Sequence, residues 1–116
     1  MSADTTVDFS DLRRADTVRI TTNMNVELAR VENPQTIAAV VDWLCERSHG
    51  WSVPPGSAMV LDDRLNFYAD GRTMGNVGVA STVMTAHRKG RFYQRPAEPG
   101  DRRELFALLG FDLGDD

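Results

Sequence analysis

The sequence predicts an α+β domain: an antiparallel sheet of about six strands with two helices packed on one face. Three observations lead there. Short runs of β-branched and aromatic residues alternate with polar ones, turn residues separate those runs closely, and two stretches carry the apolar spacing of a helix. The implied order is β-β-α-β-β-β-β-α.

Residues 1–15 are polar and hold no sustained period, so they predict a loosely ordered arm that Phe9 and Leu12 pin to the body. Residues 16–113 form the single α+β domain, and 114–116 a C-terminal tail. In "TVRITT", Val18, Ile20 and Thr22 alternate with Thr17, Arg19 and Thr21, and "VELARV" alternates again. The Asn-rich link between them suits a hairpin, because Asn tolerates the left-handed backbone of a short turn. "NPQTIAAVVDWLCERSHG" predicts the first helix. Asn33 caps it, Pro34 takes the first position, Ile37, Val40, Val41 and Leu44 form its apolar stripe, and Gly50 ends it.

"AMVLDDRLNFYADGRTMGNVGVA" predicts a second hairpin. Met59, Leu61, Leu65 and Phe67 share one face, Arg64, Asn66 and Tyr68 the other, and Asp70-Gly71 forms the two-residue turn. Gly75 and Gly78 predict a bulge or a close neighbour in the returning strand. "VMTAHRKGRFYQR" predicts a third hairpin turning near Arg88-Lys89-Gly90. "DRRELFALLG" predicts the last helix, with Asp101 and Glu104 spaced as a capping box, Leu105, Leu108 and Leu109 as its stripe, and Gly110 as its end.

At 116 residues, with 41% apolar and 26% charged residues, the chain has the makings of one globular core that needs no metal or disulfide. Its lone cysteine, Cys45, has no internal partner, which suits a reducing compartment. Neither a secretory leader nor an apolar run of membrane-spanning length is visible, so the sequence predicts a soluble, cytoplasmic protein without a membrane partner. The net charge of −4 disfavours nucleic acid. That charge is uneven, with Arg88, Lys89, Arg91, Arg95, Arg102 and Arg103 in one stretch and Asp4, Asp8, Asp11 and Asp16 near the start.

The chemistry-bearing motifs are few. Cys45 and His49 stand four apart, the spacing that a thiolate–imidazole pair on one helix face needs, and they carry the alternative reading of a small enzyme. Asp62 and Asp63 point to opposite faces of a regular strand and cannot share a proton there. The glycines of "DGRTMGNVGVA" match neither a dinucleotide nor a phosphate-loop spacing. No metal or cofactor motif stands out.

Two surfaces remain. "SHGWSVPPG" joins Trp51 to Pro54-Pro55: a stiff connection anchored by the indole, or an apolar rim for a partner. "HRKGRFYQR" interleaves bases with aromatics; Arg91, Tyr93 and Arg95 share a strand face while Phe92 points to the core. The binding candidates are therefore Trp51, Tyr68, Arg88, Arg91, Tyr93 and Arg95, with no catalytic residue and no metal ligand. They predict a noncatalytic interaction module of inhibitor, immunity or adaptor type, whose partner is a protein with an acidic surface. Weak nucleic-acid binding is a second alternative. An open strand edge permits dimerisation by sheet extension and does not require it.

The chain also resembles a set of small bacterial α+β domains. Their pattern runs from a strand into a D/N-P-x-x-I helix ending R-x-x-G-W, then a proline-containing link, a strand ending F-Y, a glycine turn, G-x-x-G-V, G-x-F-x-x-R and a final E-L helix closed by glycine. Here the matching residues include Asn33, Pro34, Ile37, Arg47, Gly50, Trp51, Phe67, Tyr68, Gly75, Gly78, Gly90, Phe92, Arg95, Glu104 and Gly110. Val83-Met84 departs from the aromatic pair typical at that point. No activity is established for the set, so the resemblance implies one compact unit and no reaction.

Overall fold

Parity along the strands decides what faces the core. The computed structural model describes residues 5–22, 24, 26–53 and 63–111. A 3-10 turn at Ser10–Arg14 leads into β1 (Thr17–Thr21) and β2 (Glu27–Val31); α1 (Pro34–Cys45) follows. Next come β3 (Arg64–Ala69), β4 (Arg72–Val79), β5 (Val83–Arg88), β6 (Arg91–Pro96) and α2 (Asp101–Leu108). The six strands form one antiparallel sheet in the order β2-β1-β3-β4-β5-β6. The α+β class and element order expected from the sequence are those observed.

Across the sheet, Ile20, Leu65, Val77 and Ala86 stand in register and are all buried, as are Val18 with Phe67 and Val79 with Met84. The apolar stripe of α1, Ile37, Val40, Val41 and Leu44, is buried in the same core. Asn33 Oδ1 accepts the N–H groups of Gln35 (2.8 Å) and Thr36 (3.3 Å), and Pro34 occupies the first helical position. The β3–β4 and β5–β6 turns each have two residues of positive φ, Asp70 (52°) with Gly71 (77°) and Lys89 (52°) with Gly90 (81°). That geometry matches the right-handed twist of the flanking strands and fixes their register. The radius of gyration, 13.3 Å, matches the roughly 13 Å expected of one domain this long.

Several expectations need correction. The described part of the N-terminal arm is part of the body: Val7, Phe9, Leu12 and Ala15 are buried, Thr5 pairs with Trp51, and Val7 N–H donates to Ser48 O. The arm changes from extended chain to a 3-10 turn within a few residues, so its apolar positions follow no single period. Gly50 does not end α1; Glu46 does, and Gly50 serves the later turn into Trp51 with φ +81°. The expected capping box is not formed. Gly100 is the N-cap of α2, and Asp101 turns its carboxylate back to the N–H of Glu98 (2.9 Å). Phe106 replaces Leu108 in the buried stripe of α2, whereas Gly110 ends the helix as expected, Phe111 N–H donating to Phe106 O at 2.8 Å. Pro54, Pro55, Met59, Leu61, Asp62 and the 114–116 tail lie outside the described residues. Among the described residues, no helix is long and apolar enough to cross a membrane.

Candidate functional site

The β5–β6 hairpin carries the basic cluster, and its tight turn sets Arg88 directly opposite Arg91. Tyr93 pairs with Ala86 and Arg95 with Met84, so Arg91, Tyr93 and Arg95 do share one face. That face is the core side of the sheet, not the outer one. Phe92 is the outward residue: it is 37% exposed and stacks on His87, with ring centroids 4.3 Å apart and planes 9° apart. The expectation that Phe92 points to the core is therefore inverted. β6 is the last strand of the sheet, and its core-side residues sit at a rim where long polar side chains still reach solvent.

The six predicted binding residues separate. Tyr68 stands on the outer face of β3, beneath Arg19, whose guanidinium carbon lies 5.7 Å from the ring centre. It does not join the hairpin residues. Trp51 is fully buried, its Nε1 donating to Arg47 O at 2.6 Å and its ring tilted 59° against Phe9. It is a structural anchor, and the rim reading of Trp51 is corrected. Ser52 exchanges two 2.8 Å backbone hydrogen bonds with Gln94, so this connection lies along the β6 edge as a short extra pairing. Arg95 locks it there, donating to Arg47 O (3.0 Å) and His49 O (2.7 Å) while its guanidinium lies 5.9 Å from the Trp51 ring.

Arg88 is also interior, only 3% exposed. Its Nη1 donates to Met74 O at 2.7 Å, and its Nη2 donates to Asp8 O (3.4 Å) and forms an ion pair with Asp11. Glycine makes this path possible. A Cβ on Gly75 would lie 3.1 Å from Arg88 Nη1 and 3.2 Å from its Cδ. The bulge expected near Gly75 is present opposite Phe67 and Tyr68. The uneven charge in the sequence is thus partly an internal match, with the acidic N-terminal segment neutralising an arginine of the basic hairpin.

Where these segments meet, a cleft of ≈ 270 Å³ opens. Thr6, Val7 and Asp8 form one wall; Arg88, Lys89, Arg91 and Tyr93 form the other. Lys89 and Arg91 are exposed and Tyr93 is half-buried. The Asp8 carboxyl is held below its usual range, first by the Ser10 hydroxyl and the Ser10 N–H, then by the nearby charges of Lys89 and Arg88. Sequence reasoning does not single out Lys89, Thr6 or Asp8 for this site. The acidic–basic complementarity of the two segments is the signal that points to them.

A larger cleft, ≈ 460 Å³, lies beside the start of α2 between Ser81, Pro99, Gly100 and Arg103. Its Arg102 is bonded to Asp63 at 2.7 Å and lies over the Phe106 ring at 5.2 Å, and Glu98 offsets Arg103. Size alone therefore does not favour it, and the hairpin cleft has the stronger cationic lining. Nearby, Arg47 binds α1 to α2: it stacks over Trp43 at 3.7 Å, donates to Trp43 O, and pairs with Asp101 and Glu104, which also accepts Trp43 Nε1 at 2.8 Å. These residues bind one another and hold the helices together.

Cys45 and His49 take separate partners. Cys45 is the last residue of α1, and its sulfur receives Arg13 Nη2 at 3.9 Å; His49 lies beyond the helix with Nδ1 3.3 Å from Thr6 Oγ1. The expected common helix face is not formed, because α1 ends before His49. Among the described residues, no group of three His, Cys, Asp or Glu side chains gathers as a metal site. No family model, curated protein or solved structure matches the chain.

Proposed function

We propose that this protein is a noncatalytic interaction module of inhibitor, immunity or adaptor type, acting in the cytoplasm, that docks an acidic segment of a protein partner on the β5–β6 hairpin. The observation that carries this reading is the cleft between that hairpin and Thr6–Asp8, with Lys89 and Arg91 exposed at its mouth and Tyr93 in its wall. Arg and Tyr are the side chains that most often anchor interfaces, and opposite charge speeds and orients encounter. The two-residue turn and the buried Arg88 hold the backbone in place before binding, which lowers the ordering entropy that association must overcome. Of the six predicted residues, Arg91 and Tyr93 keep the anchoring role; Trp51, Arg88 and Arg95 support the surface from behind.

The test compares wild-type protein with the Arg91→Ala/Tyr93→Ala double variant, each immobilised and challenged with cytosolic extract. Proteins that wild type retains should lose at least about tenfold in affinity for the variant, the equivalent of about 1.4 kcal/mol. Circular dichroism checks that the variant is folded. If every retained protein binds both forms equally, the hairpin is not the docking surface.

A further inference from the structure

We infer that the open edge of β2 is a self-association surface, on which a second copy of this chain pairs its own β2 antiparallel about a two-fold axis, Glu27 of each copy facing Arg30 of the other. The inference is independent of the hairpin surface, which lies at the opposite end of the sheet.

The two ends of the sheet differ. At the β6 end, Ser52 exchanges backbone hydrogen bonds with Gln94 and occupies part of the edge. Among the described residues, nothing pairs with the outer edge of β2, where every second residue turns its N–H and C=O away from β1. Apolar side chains gather at that edge. Val26 and Leu28 are each 57% exposed, and Met24 in the adjoining turn is 80% exposed.

The bulge in β2 selects the partner and the register. Residues three apart on a regular strand lie on opposite faces. Here the ladder shifts between Ile20 and Thr21, so Arg30 stands opposite Arg19 while Glu27 stands opposite Thr21. Arg19 and Thr21 share the outer face, and the shift therefore puts Glu27 and Arg30 on that face together. Their ion pairs agree: Glu27 Oε1 accepts Arg30 Nη2 at 3.1 Å and Arg19 Nε at 2.5 Å. Paired residues in one continuous sheet share a face, so Glu27 can meet Arg30 of a second copy only because of this bulge. Both intrachain bonds end on Oε1; Oε2 accepts no bond among the described residues and is open to the second copy's guanidinium. The same register sets Val26 opposite Val31 and Leu28 opposite Ala29, so every cross-strand pair is apolar or of opposite charge. A slip of one residue either way removes both ion pairs. Charges blunt a strand edge when they repel a second copy; here the two-fold turns them into an attraction. Because β2 and β6 bound the sheet on opposite sides, the dimer leaves the β5–β6 hairpin open in both copies.

Sedimentation equilibrium of the full chain, loaded from about 5 μM to about 1 mM, tests the inference over the range of a weak association. Expected for wild type is a rise from monomer to dimer mass and no larger species, because pairing uses up the β2 edge of each copy. Arg30→Glu alone brings like charges together across the two-fold, as does Glu27→Arg, and each should weaken the dimer at least about tenfold. Mixed in equal amounts, the two variants restore both opposite-charge pairs and should associate as tightly as wild type. Circular dichroism checks folding. Where a charge variant is unfolded, Leu28→Lys, at a side chain already largely in solvent, replaces it and should weaken the dimer about tenfold. A wild type that stays monomeric to about 1 mM overturns the inference. So does a dimer that the folded variants leave unchanged, or that the mixture of charge variants fails to restore.

Discussion

Gly75→Ala is the substitution that most directly tests how the hairpin site is built. Gly75 sits in the β4 bulge at φ +142°, a conformation that side-chain-bearing residues rarely adopt. Holding alanine there costs on the order of 1–3 kcal/mol. The new Cβ would also lie 2.6 Å from the backbone carbonyl oxygen of His87, which cannot yield without distorting the β4–β5 ladder. Overpacking of that kind adds about 1–3 kcal/mol. The combined loss is then about 2–6 kcal/mol, a large part of the roughly 5–15 kcal/mol that holds a domain together. Gly71→Ala supplies the control, because Gly71 also has positive φ (77°), but a Cβ there would meet nothing within 4 Å. Its loss should stay at about 1 kcal/mol, the conformational part alone. Urea denaturation followed by circular dichroism gives both values. If Gly75→Ala is no more destabilising than Gly71→Ala, the close approach of the β5 strand and Arg88 to Gly75 is wrong.

Trp51→Ala should cost about 3–5 kcal/mol in the same assay, since it empties a fully buried site between Phe9 and Arg95. Trp51→Phe should recover most of that but not the hydrogen bond to Arg47 O; a surface role for Trp51 would instead leave stability unchanged in both. Acid should weaken the fold through Asp16 and Glu27. The N–H of Asp70 and the Thr17 hydroxyl hold the first below its ordinary 3.8, and Arg30 and Arg19 hold the second below 4.5. Carboxyl groups with depressed folded-state pKa values contribute fully above their unfolded values and lose that contribution as pH falls through the folded ones. Stability measured by thermal melts should therefore decline as pH drops below about 4.5, and Asp16→Asn with Glu27→Gln should flatten that decline. An unchanged acid slope in the double variant assigns the loss to other groups.

The sequence by itself determined what depends on near neighbours. The cap by Asn33, the stripe of α1, the Asp70-Gly71 turn and the alternation of β1 and β3 are all set within a few residues, where backbone preference and side-chain period act together. Period two also showed correctly that Arg91, Tyr93 and Arg95 share a face. It could not show which face, because alternation is symmetric until something packs on one side. Only the tertiary structure decided that. It brought Asp11 and Asp8 to Arg88 across 77 and 80 residues of chain, and placed Trp51 between Phe9 and the β6 edge. A hydrophilic residue such as Arg88 is expected in solvent, and it is buried here because distant carbonyls and a carboxylate replace its water. The cleft exists for the same reason: its two walls, around Asp8 and Arg88, stand 80 residues apart in the chain, and no local pattern records that they meet.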